Sequence, residues 1–204
     1  MKLRKATLAD LPRLRYWDSK PHVIAATGAD EPYDWASELP REVSWRELLI
    51  AESEDVPIGI LQIIDPAKEE SHYWGEAESD LRAIDIWIGE EADLGRGCGT
   101  QMMTLALDRC FGDAAVKAVL IDPLASNIRA HRFYERLGFM VVERRTFGSD
   151  DCLVYRLTRA DWSRRRQEIT FDGRSPLRDS WREHRAERCQ DGDGGGVPDG
   201  EEQR

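Results

Sequence analysis

A glycine-spaced segment, Leu94-Gly95-Arg96-Gly97-Cys98-Gly99-Thr100, stands between a strand-like run, Ala83 to Ile88, and a helix-like run, Gln101 to Phe111. Glycine at every second position lets the backbone curve tightly and lets a ligand approach without Cβ interference. A helix that starts there turns its unpaired N–H groups and the positive end of its dipole back into the curve. Strand, loop and helix N-terminus together make a cradle for an anion, most naturally a phosphate or pyrophosphate. The same residues also suit a tight turn before a packed helix. The loop therefore predicts a strand–helix unit more firmly than it names a ligand.

The chain has 204 residues, enough for one domain with a good core. Its net charge of -10 argues against nucleic-acid binding through a broad basic surface and would attract a cationic small molecule. Acidity also serves solubility. Cys98, Cys110, Cys152 and Cys189 form no Cys-x-x-Cys pair, and His22, His72, His131 and His184 are dispersed. Neither a metal site nor a disulfide framework is expected. The basic start Met1-Lys2-Leu3-Arg4-Lys5 is followed by no apolar run, and no stretch approaches a membrane span. The expectation is a cytoplasmic protein that binds neither metal, membrane nor nucleic acid.

Lys2 to Ala6 reads as a strand, and Thr7 with Asp10 imitates a capping box ahead of a helical face begun by Leu8, Leu11, Leu14 and Arg15. Trp35 to Leu49 carries apolar residues at helical spacing, broken at Pro40. Leu48 to Glu52 and Pro57 to Ile64 form a hairpin signal across Ser53-Glu54-Asp55. Asp65 to Asp80 is a polar loop, and Leu81 to Ile88 is the next strand. Val116 to Ile121 reads as a buried strand ended by Asp122-Pro123, and Asn127 to Leu137 as a helix closed by Gly138. Phe139 to Arg145 and Cys152 to Leu157 are strands across Gly148-Ser149-Asp150. The order β-α-α-β-β-β-α-β-α-β-β predicts one α/β (α+β) domain over residues 1–161, a mixed, mostly antiparallel sheet flanked by helices. From Trp162 the chain is dense in charge, and Asp191 to Gly196 is of low complexity. Residues 162–204 are expected to be a charged tail, partly helical and then disordered.

Two features follow the glycine loop in order. Asn127 opens a helix, and Tyr134 lies on the same face two turns later. The segment from Asn127 to Phe139, with its Tyr134-Glu135-Arg136-Leu137-Gly138-Phe139 ending, resembles the second conserved segment of the GNAT family of acetyl-coenzyme A-dependent N-acetyltransferases. Leu94 to Gly99 falls on that family's Gln/Arg-x-x-Gly-x-Gly/Ala motif. The likeness spans residues 3–158 and looks closest to the aminoglycoside 6′-N-acetyltransferases. It includes Ile84-Asp85, Asp122-Pro123 with Asn127-Ile128-Arg129-Ala130, Pro21-His22-Val23 and Tyr73-Trp74. One departure is Leu94, where most of the family has Gln or Arg; that side-chain contact with the cofactor is lost, while Arg96 offers a charge beside the phosphates.

The resemblance implies a GNAT fold, acetyl-CoA as co-substrate, and direct attack on it by a primary amine. The favoured acceptor is the 6′-amine of an aminoglycoside or a similar polycationic small molecule. Ile86, Trp87 and Ile88 would line the pantetheine arm, and Leu94, Gly95, Arg96, Gly97, Cys98, Gly99 and Thr100 would hold the phosphates. Asn127 would bond the pantetheine or serve as a plain N-cap. Asp85 would hold or deprotonate the amine, its alternative being a structural cap. Tyr134 would protonate the departing thiolate, its alternative being a core tyrosine. Tyr73, Trp74 and Glu76, with Glu69, Glu70, Glu78 and Asp80 around them, would join Asp85 in holding the acceptor, or form a solvated loop. The helix N-terminus would lower the pKa of Cys98, although the family fills that position with small or apolar residues. Acetylation of another amine (a protein N-terminus, a polyamine, a siderophore precursor) and a non-catalytic CoA-binding module remain open, as do monomer and homodimer.

Overall fold

The computed structural model describes residues 1–27 and 33–171. The expectations placed on Cys189, on His184 and on the low-complexity stretch lie outside the described residues. Two compact units divide the chain, Met1–Arg165 and Arg166–Arg204; of the second, only the end of one helix is described.

The strands are β1 (Lys2–Lys5), β2 (Arg46–Ser53), β3 (Val56–Ile64), β4 (Leu81–Ile88), β5 (Ala118–Ile121), β6 (Met140–Phe147) and β7 (Asp150–Thr158). They form one sheet in the order β1-β2-β3-β4-β5-β7-β6, antiparallel at every step except the parallel pair β4–β5. The helices are α1 (Leu11–Asp18), α2 (Pro21–Thr27), α3 (Trp35–Glu38), α4 (Cys98–Gly112), α5 (Ile128–Arg136) and α6 (Arg159–Phe171).

Local chemistry explains most boundaries. The Thr7 amide donates to Asp10 Oδ2 at 2.9 Å, so the capping box forms, on a short 3-10 turn that leads into α1. The α1 face that packs is Leu14 and Trp17; Leu8 is exposed. The helical spacing over Trp35–Leu49 yields only the single turn of α3, because Pro40 ends it and β2 begins at Arg46. The β2–β3 turn is tighter than expected: Glu54 and Asp55 alone make it, both with left-handed φ (51° and 64°), as a two-residue hairpin requires. α5 ends as Gly138 predicts. Gly138 (φ 94°) donates to the Glu135 carbonyl and Phe139 to the Tyr134 carbonyl, a Schellman motif.

β4 separates two cores. Ile84, Ile86 and Ile88 turn toward α4 and α5, joining Met102, Met103, Leu107, Tyr134 and the buried Trp162. Ala83 and Trp87 turn the other way, Trp87 toward Trp17, Trp35 and Ile60 beneath α1 and α3. Side chains alternate along a strand, so Asp85 shares the face of Ala83 and Trp87. Trp17 has no exposed surface and lies flat on Gly89 at the end of β4, where an added Cβ would sit 2.0 Å from the indole Cε2. Gly89→Ala is therefore expected to destabilise the fold by about 1–3 kcal/mol or more, read by chemical denaturation; wild-type stability would contradict this packing.

Candidate active site

The site begins where the β4–β5 ladder stops. β4 pairs with β3 from Ala83 to Ile88, but with β5 only at Leu81↔Ala118, Arg82↔Val119 and Ala83↔Leu120. β5 ends at Ile121, and Asp122-Pro123 follows; proline has no N–H for a ladder. The far half of β4 is thus free on its β5 side, and a wedge opens there. An ideal Cβ on Gly59 would lie 2.4 Å from the Trp87 carbonyl oxygen, so the backbone of Trp87 faces β3. By alternation Ile86 and Ile88 turn their N–H and C=O groups to the free edge.

The chain then enters the glycine loop. Glu90 is anchored by Trp17 Nε1 at 3.2 Å and Lys20 Nζ at 3.1 Å. A 3-10 turn at Glu91–Asp93 ends with Leu94 donating to the Glu91 carbonyl. Gly95 and Gly97 take left-handed φ of 77° and 80°, and Gly97 caps α4. An added Cβ at either meets nothing within 4 Å, so conformation and not crowding calls for glycine there. The first cap bond of α4 runs from Gln101 to the Gly97 carbonyl; among the described residues the amides of Gly95 through Thr100 donate to none. α4 begins at Cys98, earlier than the sequence suggested, so Gly99 and Thr100 belong to its first turn. On the inner side Gly99 faces the Phe133 ring and the Ile88 side chain at 3.5–3.6 Å from an ideal Cβ. Arg96 and Thr100 are exposed, and Leu94 is half-buried. Six free amides, the helix dipole and Arg96 fit a pyrophosphate. Cys98 departs from its expectation: burial first, then Asp93, raises its pKa, and Arg96 and its amide only partly oppose this.

Asp85 and Tyr134 belong to opposite faces of β4 at the wedge, near enough for the charge of Asp85 to act on the phenol. Asp85 is enclosed by protein on nearly all sides, yet part of its surface stays open to solvent, as on the wall of a cleft. It forms no hydrogen bond or ion pair among the described residues, and burial, followed by repulsion from Asp122, pushes its pKa up to about 7. Tyr134 is 8% exposed and its hydroxyl is likewise unpaired among the described residues. Burial, then the charges of Asp85 and Asp122, holds that hydroxyl well above the ordinary phenol range. The phenol is thus a proton donor that resists ionisation in the free protein.

Asp122 completes the group, although the sequence marked it as a strand end and as part of the family likeness, not as a site residue. It too is enclosed by protein while keeping some surface open, and its pKa is raised by that enclosure against the bond it accepts from Tyr73 Oη at 2.6 Å. Tyr73 stacks on Phe147 (centroids 4.4 Å apart, 8° between planes) and is 45% exposed. Trp74 is buried and meets Phe147 edge-on, so it supports the loop and presents no face to a ligand. Across β4, Gln62 stands opposite Asp85 and accepts from Tyr33 Oη at 3.2 Å; the Arg46 guanidinium donates to the same hydroxyl. Adjacent spacing of Asp122 and Pro123 at a strand end was the available signal for Asp122; nothing local marked Tyr33.

The acidic loop is mostly engaged within the protein. Glu69 is buried and accepts from the amides of Ser71 and Tyr73. Glu70 pairs with Arg41, Glu78 with Arg156 at 3.9 Å and Asp80 with Lys117 at 2.5 Å. Glu76 is exposed and enters no ion pair among the described residues. Asn127 is the N-cap of α5, its side chain accepting from the Ala130 amide at 3.0 Å, which leaves its own amide N–H₂ to donate. Among the described residues no cluster of three or more His, Cys, Asp or Glu side chains is placed to hold a metal, and no helix is long and apolar enough to cross a membrane.

Comparison with known proteins agrees with this geometry. The family model for an acetyltransferase (GNAT) domain matches residues 6–147. Aminoglycoside N(6′)-acetyltransferase type 1 of Klebsiella pneumoniae is 31% identical over 146 residues, 67% of this chain and 72% of that protein. The structure of aminoglycoside acetyltransferase AAC(6′)-Ib in complex with coenzyme A superposes with a TM-score of 0.72 at 28% identity, covering 81% of this chain and 98% of that one. Its complex with coenzyme A and kanamycin gives the same TM-score at 27% identity. A seven-stranded, mostly antiparallel sheet opened at β4, with a glycine loop at the opening, is thus matched in sequence and in structure, and the chain belongs to the GNAT acetyltransferase family.

Proposed function

We propose that this protein transfers an acetyl group from acetyl-CoA to a primary amine of a polyaminated small molecule, with the 6′-amine of an aminoglycoside as the acceptor class. The observation that carries the reading is Asp85: a carboxylate without a partner among the described residues, its pKa near 7, on the free half of β4 and electrostatically coupled to Tyr134. Acetyl-CoA, when bound, supplies a thioester whose carbonyl carbon accepts the amine nitrogen. The cradle from Gly95 to Thr100 holds its phosphates, Arg96 adds charge, and the free edge of Ile86 and the Ile88 N–H with the Asn127 amide align its arm. Asp85 takes a proton from the acceptor ammonium, so that a neutral amine attacks. An edge N–H of β4 donates to the oxygen that gains charge. As the C–N bond forms and the C–S bond breaks, Tyr134 gives its proton to sulfur, and the second proton that the nitrogen sheds on becoming an amide returns the phenol to its neutral form.

Two cleft carboxylates, Asp85 and Asp122, with the exposed ring of Tyr73 beside them, suit an aminated sugar: anions for the amines, an aromatic face for the ring. This departs from the expectation of a broadly acidic loop, since Glu69, Glu70, Glu78 and Asp80 are already engaged. Recognition of the acceptor falls to the cleft itself and to Glu76.

Asp85→Asn is expected to lower kcat by about 100-fold or more while acetyl-CoA affinity, measured by calorimetry, stays near wild type. In wild type, kcat/KM should rise with pH up to about 7 and then level off, because a base must be deprotonated to act. The variant should lose that limb. The same change should raise stability: a carboxylate whose folded pKa is raised above its unfolded value weakens the fold as pH rises between the two. The gain should be full above about pH 7 and vanish below the ordinary carboxylate range. Unchanged turnover would remove Asp85 from the mechanism.

An acceptor panel tests the substrate class. Kanamycin, with a 6′-amine, should release coenzyme A thiol well above the no-acceptor blank, and paromomycin, with a 6′-hydroxyl, should not. Release with spermidine or a peptide N-terminus in place of kanamycin would reassign the acceptor.

A further inference from the structure

We infer that His22 is a positioning residue for this transfer, its imidazole holding the last peptide of β4 at the mouth of the wedge. The inference rests on the acyl-transfer reading above and adds to it a residue from outside the glycine loop and α5.

His22 lies on α2, far from β4 in sequence, and its Nε2 is 3.0 Å from the Ile88 carbonyl oxygen. A carbonyl only accepts, so Nε2 carries a proton and donates, and Nδ1 is the ring nitrogen left over. That Nδ1 is buried without a partner among the described residues. Buried polar atoms are nearly always satisfied, so an exception calls for an explanation. Here the ring is seated so that one nitrogen reaches Ile88 although the other is left unmet.

The carbonyl it reaches matters because of where it points. Ile88 ends β4, and its polar groups face the free edge, where no strand supplies a donor. The other side of the same peptide is tied to β3: Gly89 N donates to the Ile58 carbonyl at 2.9 Å. The Ile88–Gly89 peptide is thus held at both ends, by His22 at its oxygen and Ile58 at its nitrogen. Next in the chain, Glu90 is fixed by Trp17 and Lys20. Without the imidazole the Ile88 carbonyl has no donor at the free edge among the described residues, and the edge along which a thioester must be aligned loses its restraint on that side. A misplacement of about 1 Å lowers a rate by up to about 100-fold. The phosphate cradle from Gly95 onward contains no part of His22, so the loss should appear in kcat and not in cofactor binding.

Two amide substitutions separate the nitrogens. The terminal amide of His22→Gln reaches the Nε2 position and can donate to Ile88, whereas that of His22→Asn lies at the Nδ1 position and cannot. With acetyl-CoA and an acceptor that wild type uses, His22→Asn and His22→Ala should lose about 10-fold or more in kcat, with the acetyl-CoA KM nearly unchanged. His22→Gln should recover most of that loss. Acetyl-CoA titration by calorimetry confirms that each variant is folded. Equal activity in the Gln and Asn variants, whether both impaired or both intact, would overturn the inference, as would a loss confined to KM. Wild type that acetylates no amine at all would instead refute the acyl-transfer reading.

Discussion

The ladder between β4 and β5 runs for three residue pairs and then stops, and the rest of the site follows from that break. A strand held on one side only has backbone groups to offer, and the free half of β4 offers those of Ile86 and Ile88. Its side chains sort by parity: Ile84, Ile86 and Ile88 toward α4 and α5, Asp85 and Trp87 toward the opposite core. The donor side and the acceptor side of a transfer reaction are thereby placed on two faces of one strand. Had β5 continued past Ile121, the edge would be paired and the wedge closed.

Opening a sheet in its centre weakens it, and the surroundings compensate. Trp17 lies on Gly89 and bonds Glu90, so the strand end is fixed from the α1 side. Phe133 and Ile88 back the first turn of α4 on the other. The carboxylates remain costly. Enclosure raises the pKa of both Asp85 and Asp122, and the charge of Asp122 raises Asp85 further, so neither ionises as readily as a surface carboxylate. A cation in the cleft relieves that repulsion, which is the electrostatic reason for an amine to enter. Tyr73 meets Asp122 in its absence.

Features set by neighbours in sequence were legible in the sequence. The left-handed glycines of the loop, the Asn127 cap, the Gly138 stop and the hairpin at Glu54-Asp55 all follow from local backbone chemistry. Features set by partners far along the chain were not. The carboxylates of the loop looked available until Arg41, Arg156 and Lys117 arrived from other elements. Trp74 looked like a ring for a ligand and is covered by the β6–β7 hairpin through Phe147. Asp122-Pro123 announced where β5 stops, but not that the neighbouring β4 would run on past it with a free edge. Asp122 and Tyr33 entered the site by the same route, through packing and not through spacing.

The account stands on a carboxylate at Asp85 that is enclosed, unpaired and half-ionised near neutrality. A carbon-13 NMR titration of aspartate-labelled protein, with the Asp85 resonance assigned from the Asp85→Asn variant, reads that property directly. The account predicts a midpoint near 7 for this group. A midpoint near 4, the ordinary aspartate value, would mean that Asp85 is solvated or paired and would contradict it.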